Sequence, residues 1–177
     1  RLTKKKTLLE QYKKGIMQKI FNQELRFKNN KGNAFPEWEE KKITDFAKTS
    51  IGLVTTMTNN YVNKDVGVPL IRNSDIMVNK IRKEKLIYLD KEFSRKHNNR
   101  KLKCNDVVTV HTGDIGISSV INDELDGSHG FATLNTRIKN IDEVLPSFLS
   151  WYFNSEKGIK YYSLLDQSHL LTNLILN

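Results

Sequence analysis

Leu2, Leu9 and Ile16 stand seven residues apart in RLTKKKTLLEQYKKGIMQKIF, and the stripe they begin stops at Asn29-Asn30-Lys31-Gly32-Asn33 and Pro36. No other feature constrains the fold as strongly. A seven-residue recurrence keeps apolar side chains on one side of a helix, so residues 1–27 read as helical, with Tyr12 and Ile20 completing the stripe. Gly15 inside it costs up to ~1 kcal/mol relative to Ala. A helix this short and basic cannot bury its stripe alone, so it is expected to pack on another helix, of this protein or of a partner. The Asn/Gly cluster and Pro36 then break the pattern. The boundary is placed there, with a spacer helix over 1–28 and a folded domain over 34–177.

From Trp38 onward, short apolar or alternating runs bounded by Gly, Asn and Asp predict strands at Val68–Arg72, Leu86–Leu89, Val107–His111, Ile115–Ile121 and Phe131–Ile138. Asp90–Asn98 is expected as a short helix capped by Asp90. In LPSFLSWYFNS, Leu145, Phe148, Leu149, Tyr152 and Phe153 fall at i, i+3, i+4, i+7 and i+8, which predicts a helix with one core-facing side. The fold class is therefore α+β: a single mixed sheet-and-helix domain preceded by a long N-terminal helix.

The net charge of +9 is unevenly spread. Residues 1–31 hold ten Lys/Arg against Glu10 and Glu24, and residues 80–103 hold ten against Glu84, Asp90 and Glu92. Residues 104–177 are acidic, with four basic and nine acidic side chains. Such polarity suits an anionic polymer lying along one side, although two solvated basic faces would give the same pattern. No apolar run approaches the roughly 18 residues of a membrane helix, so no membrane partner is expected. The start lacks both a secretory apolar run and a Met, which suggests a fragment. The lone Cys104 excludes an internal disulfide framework and points to a reduced, cytoplasmic setting. His97, His111, His129 and His169 lack metal-ligand spacing; each is expected to be a surface or hydrogen-bonding residue, and no metal site is expected.

Enzyme signatures are missing as well. Neither a phosphate loop nor G-x-G-x-x-G occurs, since TGDIG offers only Gly113 and Gly116. The prolines in FPEW, VPLI and LPSF leave no Asn/Asp-Pro-Pro-aromatic motif of an amino-methyltransferase. Glu40–Lys42 forms a nuclease-like Glu-x-Lys without a preceding acidic metal ligand, and His97-Asn98-Asn99 has no second His. No catalytic residue is expected. A stand-alone nuclease or methyltransferase-related enzyme is the alternative reading. A structural or RNA-binding adaptor is a third, and no RNP-like aromatic pair supports RNA.

Six segments carry a resemblance in their order: LLEQYKKGIMQKIF with NNKGNAFPEWEEKKI, VPLIRNSDI, LKCNDVVTVHTGDIGISSVI, GSHGFATLNTRI, LPSFLSWYFNSEKG and the closing HLLTNLILN. Together they resemble the specificity subunits of type I restriction–modification systems over nearly the whole chain. The first looks like the end of that family's central spacer helix, in its coiled-coil region, and the lead-in to a target-recognition domain. The third looks like its β-hairpin segment. Members read a split DNA sequence with two recognition domains spaced by two antiparallel helices. The resemblance implies one such domain here with its adjoining helix, stopping at the start of the segment that leads into the second helix. It also implies double-stranded DNA, modification (methyltransferase) subunits and a restriction subunit as partners. A second specificity half, or self-association through the N-terminal helix, is a further expectation. No cofactor is expected in this chain; the methyl donor belongs to the modification subunit.

The residues fit that role. Arg72, Asn73 and Ser74 end a strand in a polar turn with Asp75. Arg pairs bidentately with guanine O6/N7 and Asn with adenine N6/N7 in the major groove. The same turn could equally be a local cap. Thr112-Gly113-Asp114 and Ser128-His129-Gly130 read as polar loop tips, open both to base contact and to an ordinary turn role. Lys80, Arg82, Lys83, Arg95, Lys96, Arg100, Lys101 and Lys103 suit phosphate contact or a solvated face. Leu2, Leu9, Tyr12, Ile16 and Ile20 are the expected subunit interface.

Overall fold

The computed structural model describes residues 2–161 and the backbone of Ile175–Leu176. Four helices are named among them: α1 (Leu2–Phe21), α2 (Ile43–Phe46), α3 (Lys91–Lys96) and α4 (Pro146–Phe153). The strands are β1 (Lys41–Lys42), β2 (Ala47–Ile51), β3 (Tyr61–Val62), β4 (Val68–Arg72), β5 (Ile76–Met77), β6 (Lys80–Ile81), β7 (Ile87–Leu89), β8 (Val107–Thr109), β9 (Ser118–Val120), β10 (His129–Phe131), β11 (Leu134–Ile138) and β12 (Ile175–Leu176). The expected α+β class with a long N-terminal helix holds. The rest of HLLTNLILN, with His169, lies outside the described residues.

Two four-stranded sheets form, in the orders β2-β11-β8-β9 and β10-β4-β7-β3. The first is wholly antiparallel; in the second, β10 runs parallel to β4, with His129 opposite Leu70. Two short pairs complete the pattern, β5 with β6 and β1 with β12.

Three boundaries depart from the sequence reading, each at a residue with positive φ. The N-terminal helix stops at Phe21 instead of residue 27, because Gln23 turns into the left-handed region at φ 62°. The Lys19 carbonyl then accepts from the N–H groups of Glu24 and Leu25, closing the helix end. The run Phe131–Ile138 is two strands, since Ala132 at φ 50° sends the chain from one sheet into the other. Ile115–Ile121 starts as a turn, with Gly113 at φ 87° and Gly116 at φ 94°, and becomes a strand only at Ser118.

One turn chemistry recurs three times. Asp45, Asp75 and Asp106 each accept the backbone N–H three residues back, from Lys42, Arg72 and Lys103, at 3.1, 3.0 and 2.8 Å. In KITD, RNSD and KCND a basic residue opens the turn and an aspartate closes it, capping an otherwise orphaned donor.

The foot of α1 belongs to the main core. Phe21 is buried, with its ring 6.1 Å from Trp38, 5.7 Å from Phe148 and 5.4 Å from Tyr152. Lys13 Nζ lies 4.4 Å above the Trp151 ring, and Lys14 pairs with Glu156 at 3.8 Å. On α4, Leu149, Tyr152 and Phe153 are buried as expected, whereas Phe148 sits at the rim and Leu145 is 61% exposed. The side of α1 that docks carries Met17 and Phe21, about a third of a turn from the Leu2–Leu9–Ile16 stripe. That stripe stays open at its outer end, where Leu2 is 85% and Tyr12 is 70% exposed.

The sheets meet where two glycines permit it. Leu53 N–H donates to the Gly130 carbonyl at 2.7 Å and Gly52 N–H to that of Thr133 at 2.8 Å. A Cβ on Gly130 would stand 1.9 Å from Thr133 Oγ1, and one on Gly52 would stand 2.4 Å from the Gly130 oxygen. Only residues without side chains fit this crossing.

Candidate nucleic-acid interface

Arg72 does not project as a free fork. Its Nε and Nη2 donate to the two carboxylate oxygens of Asp75 at 2.8 and 2.9 Å, and Nη2 also donates to the Lys85 carbonyl at 2.8 Å. Asp75 is buried, so the pair is a structural clamp, and the carboxylate holds the guanidinium above its already high ordinary pKa. The Nε–Nη2 edge of Arg72, the residue expected to reach guanine, is taken up by Asp75 in this structure. Arg137 and buried Asp106 repeat the device at 2.7 and 2.6 Å.

Two of the expected polar tips are brought together. Asn73 Nδ2 donates to Thr112 Oγ1 at 2.8 Å, joining the turn after β4 to the β8–β9 connection. Ser74, Thr112 and Asp114 are exposed around this contact, while Asn73 is half-buried with its amide oxygen enclosed. The composite tip therefore presents hydroxyls and a carboxylate more than it presents the Asn73 amide.

The third expected tip is no tip. Ser128 and His129 are fully buried, because His129 opens β10 and lies between β4 and the bridge to Lys101. His129 Nε2 shares a hydrogen bond of 2.9 Å with Ser94 Oγ on α3, and the Ser128 carbonyl accepts Leu102 N–H at 2.8 Å. Burial, with the Lys101 charge in support, pushes the imidazole pKa down to about 4, so the ring is neutral near pH 7. These residues cannot touch DNA from where they stand; they hold the basic segment 94–102 from beneath.

That segment does face outward. Asp90 caps α3 as expected, accepting from the N–H groups of Glu92 and Phe93 at 2.8 and 3.0 Å. Arg95, Lys96, Arg100 and Lys103 are exposed and Lys101 is half-buried. Arg100 Nη1 is tethered to the Ile51 carbonyl at 2.7 Å, and Lys96 pairs with Glu92 at 3.0 Å on the helix surface. Lys80, Arg82 and Lys83 form a separate exposed group on and after the β5–β6 hairpin. Lys83 is bonded to Glu124, and Arg82 lies 3.2 Å from Met77 Sδ.

Two residues that sequence reasoning passed over fix the hairpin. Asn79, at φ 54°, accepts from Ser150 Oγ at 2.7 Å through its side chain and donates its backbone N–H to the Ser118 carbonyl at 2.9 Å. Asn154 spans Ser118 with bonds of 3.0 and 2.8 Å to its N–H and carbonyl, tying α4 to β9. An Asn between Val78 and Lys80, where one short apolar run gives way to the next, was the only available signal for the first, through its tolerance of positive φ. Among the described residues no helix is long and apolar enough to cross a membrane, and no cluster of His, Cys, Asp or Glu could hold a metal ion.

This architecture is shared with solved structures. The HsdS subunit from Thermoanaerobacter tengcongensis superposes over 91% of this chain and 37% of its own, with a TM-score of 0.58 and 14% identity. A chain from a study of the complex assembly and conformational transition of the type I R-M system matches over 97% of this chain and 42% of its own, with a TM-score of 0.59 and 14% identity. The chain thus spans about two-fifths of the length of the structures it matches. No family model and no curated protein matches it.

Proposed function

We propose that this chain is a DNA target-recognition module of the type I restriction–modification specificity kind, which acts by positioning partner enzymes and has no catalysis of its own. The observation that carries the reading is the HsdS-like fold, extending over nine-tenths of the chain, with an exposed basic segment at 91–103 displayed on it. Cations on that segment neutralise phosphates and set affinity, while polar groups on a rigid base read bases. The reading assigns phosphate contact to Arg95, Lys96, Arg100, Lys101 and Lys103, with Lys80, Arg82 and Lys83 as a second contact area. It assigns base contact to Ser74, Thr112 and Asp114. The modification subunit brings the methyl donor, the restriction subunit cuts, and α1 is the assembly element. Selection from a random duplex pool by the full chain with a modification subunit tests this. Enrichment of a defined sequence is expected; recovery of an unenriched pool would overturn the reading.

A further inference from the structure

The exposed β8–β9 connection turns at Gly113, φ 87°, and Ile115 N–H closes the turn on the Gly113 carbonyl at 2.8 Å. Among the described residues Thr112 makes one hydrogen bond, in which its Oγ1 accepts Asn73 Nδ2 at 2.8 Å. Asn73 stands on firmer backbone. Its carbonyl accepts Ile76 N–H, and the neighbouring Asp75 accepts Arg72 N–H on its carboxylate at 3.0 Å and Arg82 N–H on its carbonyl at 2.8 Å. The loop thus takes the position of its hydroxyl from a turn in the other sheet.

The direction of the Asn73–Thr112 bond sets what Thr112 has left to offer. A threonine hydroxyl has one proton and two lone pairs, and Asn73 fills one lone pair. The opposite amide orientation would enclose an NH2 with unmet protons in place of the enclosed Oδ1, and orphaned donors are the rarer of the two. Accepting a hydrogen bond polarises the hydroxyl, which makes it a better donor and a poorer second acceptor. Thr112 is exposed, so that proton points to solvent, whereas the nearby Asp114, when ionised, can only accept. The Asn73 turn leads into a segment with exposed Lys80, Arg82 and Lys85 against Glu84, Lys83 being bonded to Glu124. Its excess of positive charge draws a phosphate backbone to this side.

We infer that Asn73 is a positioning residue for base reading, holding the Thr112 hydroxyl as a donor toward a keto oxygen, guanine O6 or thymine O4, in the major groove. Adenine and cytosine place an amino group, itself a donor, at the same point. The inference rests on the reading of the chain as a DNA target-recognition module and names the chemistry of one of its contacts.

Binding of the full chain, with a modification subunit, to a selected duplex and its single-base transitions at fixed salt tests it. At one position the parent should prefer guanine over adenine, or thymine over cytosine, by roughly three- to tenfold, the size of one net hydrogen bond. Thr112→Val should abolish that preference, and Thr112→Ser, which keeps the hydroxyl, should retain it. Asn73→Ala should abolish the preference at the same position and nowhere else, and should add nothing in the Thr112→Val background. Binding to a scrambled duplex should not change. Asn73→Ala is expected to fold, since it removes an enclosed oxygen that has no partner among the described residues, and urea unfolding matches the folded fractions. A Thr112→Val variant that discriminates like the parent overturns the inference, as does a preference for adenine or cytosine at the position Thr112 controls. So does an Asn73→Ala variant that weakens every duplex alike, because Asn73 is then only a link between the sheets. A parent without preference at any position fails the target-recognition reading itself; a discriminating parent matched by its variants fails this inference alone.

Discussion

Replacing Arg72 with Ala should unfold this protein more readily and leave its choice of DNA sequence intact. In the parent, the buried Asp75 carboxylate receives three donors: the Arg72 backbone N–H at 3.0 Å and the side-chain Nε and Nη2 at 2.8 and 2.9 Å. Alanine keeps the first and removes the other two. Breaking a fully buried ion pair costs about 3–5 kcal/mol, because the remaining charge has lost its counter-ion without regaining water. The Arg72 side chain is 32% exposed, so solvent enters and the cost falls to roughly 2–3 kcal/mol. Against the 5–15 kcal/mol typical of a whole domain, that is a sizeable loss. Urea unfolding followed by tryptophan fluorescence measures it, and a cycle with Asp75→Asn isolates the pair, with a coupling of at least about 1 kcal/mol expected. Competition between a selected and a scrambled duplex, at fixed salt and with the folded fraction matched, should show unchanged discrimination. An unfolding midpoint equal to the parent's, combined with lost discrimination, would refute the clamp and return Arg72 to the bases.

The buried His129 makes stability depend on acid. Its folded pKa of about 4 lies below the ordinary 6.5, so the contribution is complete above 6.5 and is lost as pH falls from 6.5 toward 4. The total is on the order of 3 kcal/mol, and a C2-proton titration that finds His129 at an ordinary pKa would contradict it. Gly52→Ala should destabilise by more than ~2 kcal/mol, since its Cβ would press on backbone at 2.4 Å. Gly113→Ala meets open space at φ +87° and should cost only about 1 kcal/mol; equal losses in thermal unfolding would remove the close crossing as the cause. For the basic segment, Lys96→Ala with Lys101→Ala should make log K against log salt shallower by about 0.9 per lost phosphate contact, on every duplex alike. An unchanged slope would take residues 91–103 off the DNA.

Much of the architecture could be read from local pattern because local physics decides it. Val68–Arg72 is an apolar run that ends in a polar turn, Asp90 caps the helix it precedes, and the periodicity of LPSFLSWYFNS gives α4 with its buried Leu149, Tyr152 and Phe153. What escaped is what distant residues impose. Phe131–Ile138 reads as one β run, yet Phe131 must face Arg72 in one sheet and Leu134 must face Ile51 in the other. The polar Ser128-His129-Gly130 looks like a tip because its partners, Ser94 and Gly52, are far away in sequence. Arg72 illustrates a finer limit: RNSD is legible as a turn, but whether the guanidinium bends inward depends on Asp75 being buried.

The parallel pairing of β10 with β4 also dictates when the second sheet can be finished. On a ribosome, β4 gains β7 at Ile87–Leu89 soon after emerging, but its other edge must wait for His129–Phe131. At 5–20 residues per second that interval is roughly 3–12 s, long compared with the microseconds in which a hairpin closes. Throughout it, Leu70 and Ile71, fully buried in the finished protein, sit on an open strand edge that any other nascent chain can join. Synthesis, more than the folded state, is therefore where this protein is exposed to aggregation. Slowing translation before His129–Phe131 has left the ribosome should raise its demand for chaperones, whereas slowing it afterwards should not.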